Sequence, residues 1–133
     1  MLGIDTNVLI RFLTVHDAVQ SAQAQALLMR AENQPIYISM LVLAEAFNVL
    51  TKVKKQPVNA VLAAYALLLR SPALTIERAE LVQMAIDEAG QTNAGFPDAL
   101  IGLQNAEANC VSTATFDISA TRLASMRPVK DFL

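Results

Sequence analysis

The feature that most restricts the fold is an alternation: short apolar runs recur along the chain, each leading into a stretch with helical spacing. Leu2 to Asp5 is such a run, closing on Asp5-Thr6-Asn7, after which Val8 to Leu13 resumes with helical character. A strand feeding a helix is the natural reading. Asp17 followed by Gln20 matches a capping box and opens a second helix expected to reach Glu32, with Val19, Ala22, Ala26 and Met29 on one face. Pro35 to Ser39 gives another strand, and Ser39 can cap a helix from Met40 to about Val53 whose C-terminal end carries Lys52, Lys54 and Lys55. Pro57 starts an apolar helix to about Arg70, and Ala73 to Ile76 reads as a strand. Glu77 and Glu80 then suit the first turn of a helix ending before Gly90. After the polar stretch Gln91 to Gly95, Pro97 is placed for the first turn of a helix from Asp98 to Ala108, and Cys110 to Thr113 is expected as a buried strand. In the tail, Thr121 to Ser125 suits a short helix and Val129 an edge strand. Such alternation implies a parallel sheet covered on both faces by helices and joined by right-handed crossovers.

A chain of 133 residues suits one domain, residues 1–133, with a real core. Hydrophobic residues make up 54% and mean hydropathy is +0.40, so some apolar surface is expected to meet a partner and oligomerisation is anticipated. The apolar run Val58 to Leu69 contains Asn59 and falls short of the roughly 20 residues of a membrane span, so it reads as a buried or interface helix. No basic n-region precedes the first apolar stretch, which Asp5 and Arg11 interrupt, so no targeting segment is read and the cytoplasm is the expected location. The single cysteine, Cys110, excludes an internal disulfide and a thiolate zinc cage and is expected as a small core residue. The single histidine, His16, is expected at the surface. A net charge of −2 argues against a broad basic nucleic-acid surface, yet leaves room for a local site where a divalent metal stops carboxylates from repelling phosphate.

Of the twelve Asp and Glu residues, most lie near helix starts or among polar neighbours. Four do not: Asp5 in Leu2-Gly3-Ile4-Asp5, Glu45 in Leu43-Ala44-Glu45-Ala46-Phe47, Asp98 in Phe96-Pro97-Asp98-Ala99-Leu100, and Asp117 in Thr115-Phe116-Asp117. A carboxylate in apolar surroundings needs a cap, a partner or a metal. In a parallel sheet, Asp5 and Asp117 would follow strands at the carboxyl edge, where such sheets bind ligands. Glu45 would lie about one and a half turns into the helix leaving that edge, and Asp98 would open a helix there. Four like charges call for cations, and oxygen ligands without His or Cys point to Mg²⁺ or Mn²⁺. The chemistry this set suits is phosphodiester hydrolysis. Each acid also has a structural alternative: Asp5 as a helix cap, Asp98 as a helix-dipole partner, Asp117 as a turn acid, and Glu45 as part of a solvated stripe with Asn48 and Lys52.

The opening Met1-Leu2-Gly3-Ile4-Asp5-Thr6-Asn7-Val8-Leu9-Ile10-Arg11 resembles that of the PIN-domain family, especially the VapC-type toxins of bacterial toxin–antitoxin pairs. Leu43-Ala44-Glu45-Ala46, Pro97-Asp98-Ala99-Leu100-Ile101 and Thr115-Phe116-Asp117 are similar to the family's second, third and fourth motifs, in its order and across the whole chain. The resemblance implies a three-layer α/β/α fold with a central, mostly parallel sheet. It also implies a Mg²⁺-dependent endoribonuclease acting on RNA, a homodimer, and neutralisation by an antitoxin protein that occupies the acidic groove. By motif, Asp5, Glu45, Asp98 and Asp117 would be the catalytic, metal-binding acids, and Thr6, Asn7 and Thr115 polar supports. Arg11, Lys52, Lys54 and Lys55 are candidates for RNA backbone contact, with a solvated helix end the plainer reading of the lysines. The chain departs from the family after Asp117, where Ile118-Ser119-Ala120 stands in place of a basic residue and an aromatic.

Rival readings are a PIN-like nuclease acting on DNA, a non-catalytic PIN-like scaffold, and a Mg²⁺-dependent phosphotransfer domain. The last fits least. A dehalogenase-type phosphatase needs a second Asp where Asn7 stands, and a receiver needs a phosphoacceptor Asp after a central strand, whereas Ser39 and Ile76 end the next strands.

Overall fold

A computed structural model describes residues 1–15 and 17–133, so the expectation for His16 lies outside the described residues. Two compact units make up the chain, Met1–Ala79 and Glu80–Leu133.

The first unit begins with β1 (Leu2–Gly3), α1 (Thr6–Leu13), α2 (Ala18–Met29) and β2 (Ile36–Ile38), followed by α3 (Met40–Asn48), α4 (Val58–Arg70) and β3 (Leu74–Ile76). Its sheet has the order β1-β2-β3 and is parallel throughout, Leu2 opposite Ile36 and Ile38 opposite Ile76. Sequential strands are therefore neighbours, each pair joined through helices, as the alternation requires. Ile36 and Ile38 point into the core on one register while Tyr37 is half-buried between them. Leu9, Leu43, Leu50 and Val61 are buried in the same unit, with Phe47 and Tyr65 edge to face at 6.4 Å. The Tyr65 hydroxyl donates to the Leu43 carbonyl at 2.7 Å, which satisfies its one buried polar atom, and burial pushes the phenol's pKa far upward.

Ser39 caps α3 by accepting from the Val42 N–H at 3.2 Å. A second cap comes from 37 residues away: Glu77, immediately after β3, accepts the Met40 N–H at 2.8 Å. Glu77 thus serves α3 rather than its own helix, which starts at Ala79. The expected run to Val53 is present, but Val49–Val53 is a π-helical turn, stopped by Lys55 in the left-handed conformation at φ 58°.

The apolar face expected to bury α2 is its solvent face: Val19 and Met29 are 69% and 82% exposed, Ala22 and Ala26 exposed too, and the helix stops at Met29 rather than Glu32. The buried positions are Ser21 and Ala24. The reason is the end of α1, whose last carbonyls lack helical donors. Ser21 donates to the Thr14 carbonyl at 3.2 Å, Gln25 to that of Phe12 at 3.4 Å, and Arg11 Nε to the Gln20 side chain at 2.8 Å. Polar bonds therefore set the rotation of α2.

The second unit comprises α5 (Ala79–Thr92), α6 (Phe96–Glu107), β4 (Thr113–Thr115) and β5 (Met126–Pro128), with 3₁₀ turns at Ser119–Arg122 and Val129–Phe132. β4 and β5 pair in parallel, Thr113 opposite Met126 and Thr115 opposite Pro128. The strands thus form two parallel ladders, and Val129 lies in a turn beyond β5 rather than in a strand. α5 passes through Gly90 and stops at Asn93, which takes the left-handed conformation at φ 60°. Asn109, at φ 69°, ends α6 in the same way. Here Asn serves as the stop residue more often given to Gly. Cys110 follows Asn109 and is exposed, and β4 begins only at Thr113 and is half-exposed, so neither the core cysteine nor the buried strand from Cys110 is present. The fold is mixed α/β with wholly parallel strand pairing, the class the alternation implies. No helix among the described residues is long and apolar enough to cross a membrane.

Candidate active site

The carboxyl edge of the first unit's sheet gathers side chains from the ends of all its strands. The Ile4 N–H still donates to Tyr37, and Asp5 follows as the N-cap of α1, Oδ1 accepting from the Val8 N–H at 3.0 Å. Asp5 therefore does fill the capping role open to it. The next residue reaches further: Thr6 Oγ1 donates to Glu45 Oε2 at 2.6 Å, a short charge-assisted bond between the starts of α1 and the middle of α3. Glu45 is thereby tied to the first residue of α1 rather than left in an open stripe. Both carboxylates are exposed, so solvent ions reach them. Asn7 and Arg11 line a cleft beside Asp5, and the Arg11 guanidinium is anchored by Gln20.

In the second unit, Asp98 stands in the first turn of α6, three residues after the Gly95 cap, and is half-buried. A Cβ at Gly95 would come within 3.7 Å of its Oδ2. Asp117 follows β4 closely. Thr115 Oγ1 accepts its N–H at 3.0 Å, and its own Oδ1 accepts both the N–H and the hydroxyl of Ser119, at 2.9 and 2.7 Å. Ser119, where the family pattern differs, is thus the residue that fixes the fourth acid. An Asp-x-Ser spacing at a turn carries that signal, although the motif comparison does not use it.

The structure thus joins Asp5, Thr6 and Glu45 in one unit, and Thr115, Asp117 and Ser119 in the other. Of the candidate RNA contacts, Lys52 and Lys55 are exposed at the end of the α3 extension and Lys54 is half-buried there. Within each unit, among the described residues, no three His, Cys, Asp or Glu side chains are grouped to hold a metal ion. The donor pair that the first unit supplies, Asp5 and Glu45, is oxygen only, which fits a hard divalent cation.

A search of curated proteins finds no match to this chain. The PIN-domain family profile matches residues 3–125, which covers every motif acid. The chain belongs to the PIN-domain family.

Proposed function

We propose that this protein is a Mg²⁺- or Mn²⁺-dependent endoribonuclease and the toxin component of a VapBC-type toxin–antitoxin pair. PIN domains are in general metal-dependent nucleases, and that broader function follows from membership. The observation that carries the finer reading is the Asp5–Thr6–Glu45 arrangement at the carboxyl edge of a parallel sheet. Asp5, Glu45, Asp98 and Asp117 keep the ligand roles that the motifs give them. A divalent cation, when bound, supplies Lewis-acid polarisation of the phosphodiester and an acidified water. The chain's own part is positioning. The Val8 N–H holds one oxygen of Asp5, Thr6 holds one oxygen of Glu45, and Ser119 holds one of Asp117. Phe116, 91% exposed beside Asp117, supports single-stranded RNA as substrate, because an unstacked base gains a face to stack on.

The partner reading, a homodimer that also binds an antitoxin, is supported by apolar surface on α2 and α4. Leu67 is 64% exposed, and with Phe12, Leu28, Leu68 and Leu74 it lines an apolar groove of ≈ 250 Å³.

The test is direct. Purified protein is given single-stranded RNA, single-stranded DNA and duplex DNA, with Mg²⁺ or with chelator. RNA cleaved only with metal, and not by Asp98→Asn, is the expected result, together with growth arrest on expression of the parent but not of the variant. Cleavage of DNA in preference to RNA would overturn the substrate, and cleavage in chelator the chemistry.

A further inference from the structure

A cleft of ≈ 320 Å³ opens between α1 and α2, with Asp5 at its edge. Its size is at the lower end for small-ligand sites. Its walls are unlike an ordinary seam between two helices, which apolar side chains fill. Val8, Ala24 and Leu27 supply an apolar side, while Asn7, Arg11 and Gln23 bring polar groups to the same space. Gln20 lines it too, and its bond with Arg11 fixes both side chains.

Charge decides what such a space can take. Among the described residues one cation, Arg11, and one anion, Asp5, line it, and these offer no net attraction to a phosphate. Three side-chain amides and an apolar wall instead suit a flat, neutral, hydrogen-bonding group. We infer that the α1–α2 cleft is a nucleobase pocket, that its occupant is the base of a nucleotide flanking the cleaved bond, and that it favours guanine over adenine. The inference rests on reading Asp5 as part of the nuclease centre, because the cleft's position beside Asp5 makes the occupant a flanking nucleotide.

The preference for guanine follows from the Arg11–Gln20 bond. Arg11 Nε donates to the Gln20 carbonyl oxygen, so that oxygen is already engaged and the Gln20 amide presents its NH₂ as donor. The terminal nitrogens of Arg11 are donors as well. Two groups held as donors select an edge of acceptors, and guanine offers N7 and O6 side by side, the pair that arginine recognises bidentately. Adenine places a donor, N6, beside N7, so the same pair of donors meets only one acceptor there. Splayed-out bases of single-stranded RNA expose these edges and leave a face for the apolar wall.

The experiment uses the whole protein in chelator, so that it reads binding without cleavage. The four nucleoside 5′-monophosphates, with inorganic phosphate as control, are titrated while NMR follows the side-chain amides of Asn7, Gln20 and Gln23 and the Arg11 Nε–H. Guanosine monophosphate should shift these signals and bind roughly 10-fold more tightly than the adenosine form. Arg11→Lys, which keeps charge but loses the fork, should abolish the difference. Gln23 is exposed, so Gln23→Ala leaves the fold intact, and it should change which bases flank the ends of cleaved RNA. Silent cleft signals, equal shifts by all four nucleotides, or shifts by inorganic phosphate alone would each overturn the pocket. If nucleotides bind selectively but no RNA is cleaved, the nuclease reading fails and the base pocket stands. If RNA is cleaved with unchanged flanking bases in Gln23→Ala and the cleft signals stay silent, the reverse holds.

Discussion

Asp5 is asked to do two things, and two substitutions at that position separate them. Its Oδ1 accepts the Val8 N–H at 3.0 Å and caps α1, a helix of only eight residues for which one orphan donor is a large share of the end. Asp5→Ala removes that acceptor and should cost about 1 kcal/mol, roughly 3–6 °C in Tm for a chain of this size. Asp5→Asn keeps a side-chain oxygen in the same place, and Asn ranks with Asp as an N-cap. It gives up the charge that favours a helix N-terminus, about 0.5 kcal/mol, so its stability in chelator should lie within about 0.5 kcal/mol of the parent. With Mg²⁺ the order changes. Mass action should stabilise the parent by about 2.7 kcal/mol at 100 times its dissociation constant, and both variants far less. Thermal melts in chelator and in Mg²⁺, with RNA cleavage on the same samples, read all of this. Asp131→Asn is the control, since that exposed acid pairs with Arg127 at 3.5 Å and is not one of the four motif acids. An Asp5→Asn protein that kept the full Mg²⁺ response would show that Asp5 is a cap and nothing more.

End-group analysis of cleaved RNA should find 5′-phosphates, because an attacking water leaves the 3′ oxygen to depart; a 2′,3′-cyclic phosphate would make the ribose hydroxyl the nucleophile and refute the mechanism. Glu88 has a buried Oε2 with no hydrogen-bond partner among the described residues, and burial raises its pKa. A raised folded-state value favours the protonated form, so the stability it contributes is fully present below the ordinary glutamate range and lost as pH rises through the raised value. Glu88→Gln should therefore melt like the parent near pH 4 and higher at neutral pH, and a parallel pH profile would count against it. At Gly102 on α6 a Cβ would overlap the Ser125 side chain, its Cβ at 3.1 Å, so Gly102→Ala should destabilise by about 1–3 kcal/mol in a denaturant titration, and a neutral result would mean that Ser125 moves aside freely.

How much of this is legible in the sequence depends on how local the cause is. Capping by Asp17 and Ser39 lies within three residues and is read correctly, as are α4 from Val58 to Arg70 and β2 within Pro35 to Ser39, while the cap at Asp5 is legible as one of two readings of that acid. Helix stops are read less well, because Gly90 is the stronger stop signal by type and yet Asn93 has the left-handed backbone. Glu77 looks like a helix-start acid in its own segment, and only parallel pairing of β2 with β3 brings it to the Met40 N–H. The exposed face of α2 is illegible for a related reason. Periodicity finds an apolar stripe, but the unmet carbonyls of α1 choose which side faces in. For the acids, apolar surroundings single out four positions to ask about, while the partners that hold two of them, Thr6 for Glu45 and Ser119 for Asp117, come from bonds that residue type alone does not rank.

The structural alternatives for these acids turn out to be compatible with the ligand role rather than opposed to it. A carboxylate has two oxygens, and a backbone N–H or hydroxyl on one of them fixes the plane in which the other can meet a cation. At Asp5 the cap bond sits on Oδ1, and at Glu45 the Thr6 bond sits on Oε2. In each case a donor from the same turn or a neighbouring helix has stilled a side chain that would otherwise lose rotamer freedom on binding a metal. Thr6→Val tests this without touching an acid. Losing the hydroxyl should free Glu45 while leaving its charge in place, so Mg²⁺ affinity should fall by roughly 10-fold, the lower end for loss of a ligand-orienting partner. Stability in chelator should change by less than about 1 kcal/mol, because Glu45 is exposed and water replaces the hydroxyl. Excess Mg²⁺ should then restore cleavage in Thr6→Val but not in Glu45→Gln. If excess metal rescued neither, or if Thr6→Val bound Mg²⁺ as the parent does, the bond from Thr6 would be an ordinary surface contact and the orienting role would be wrong.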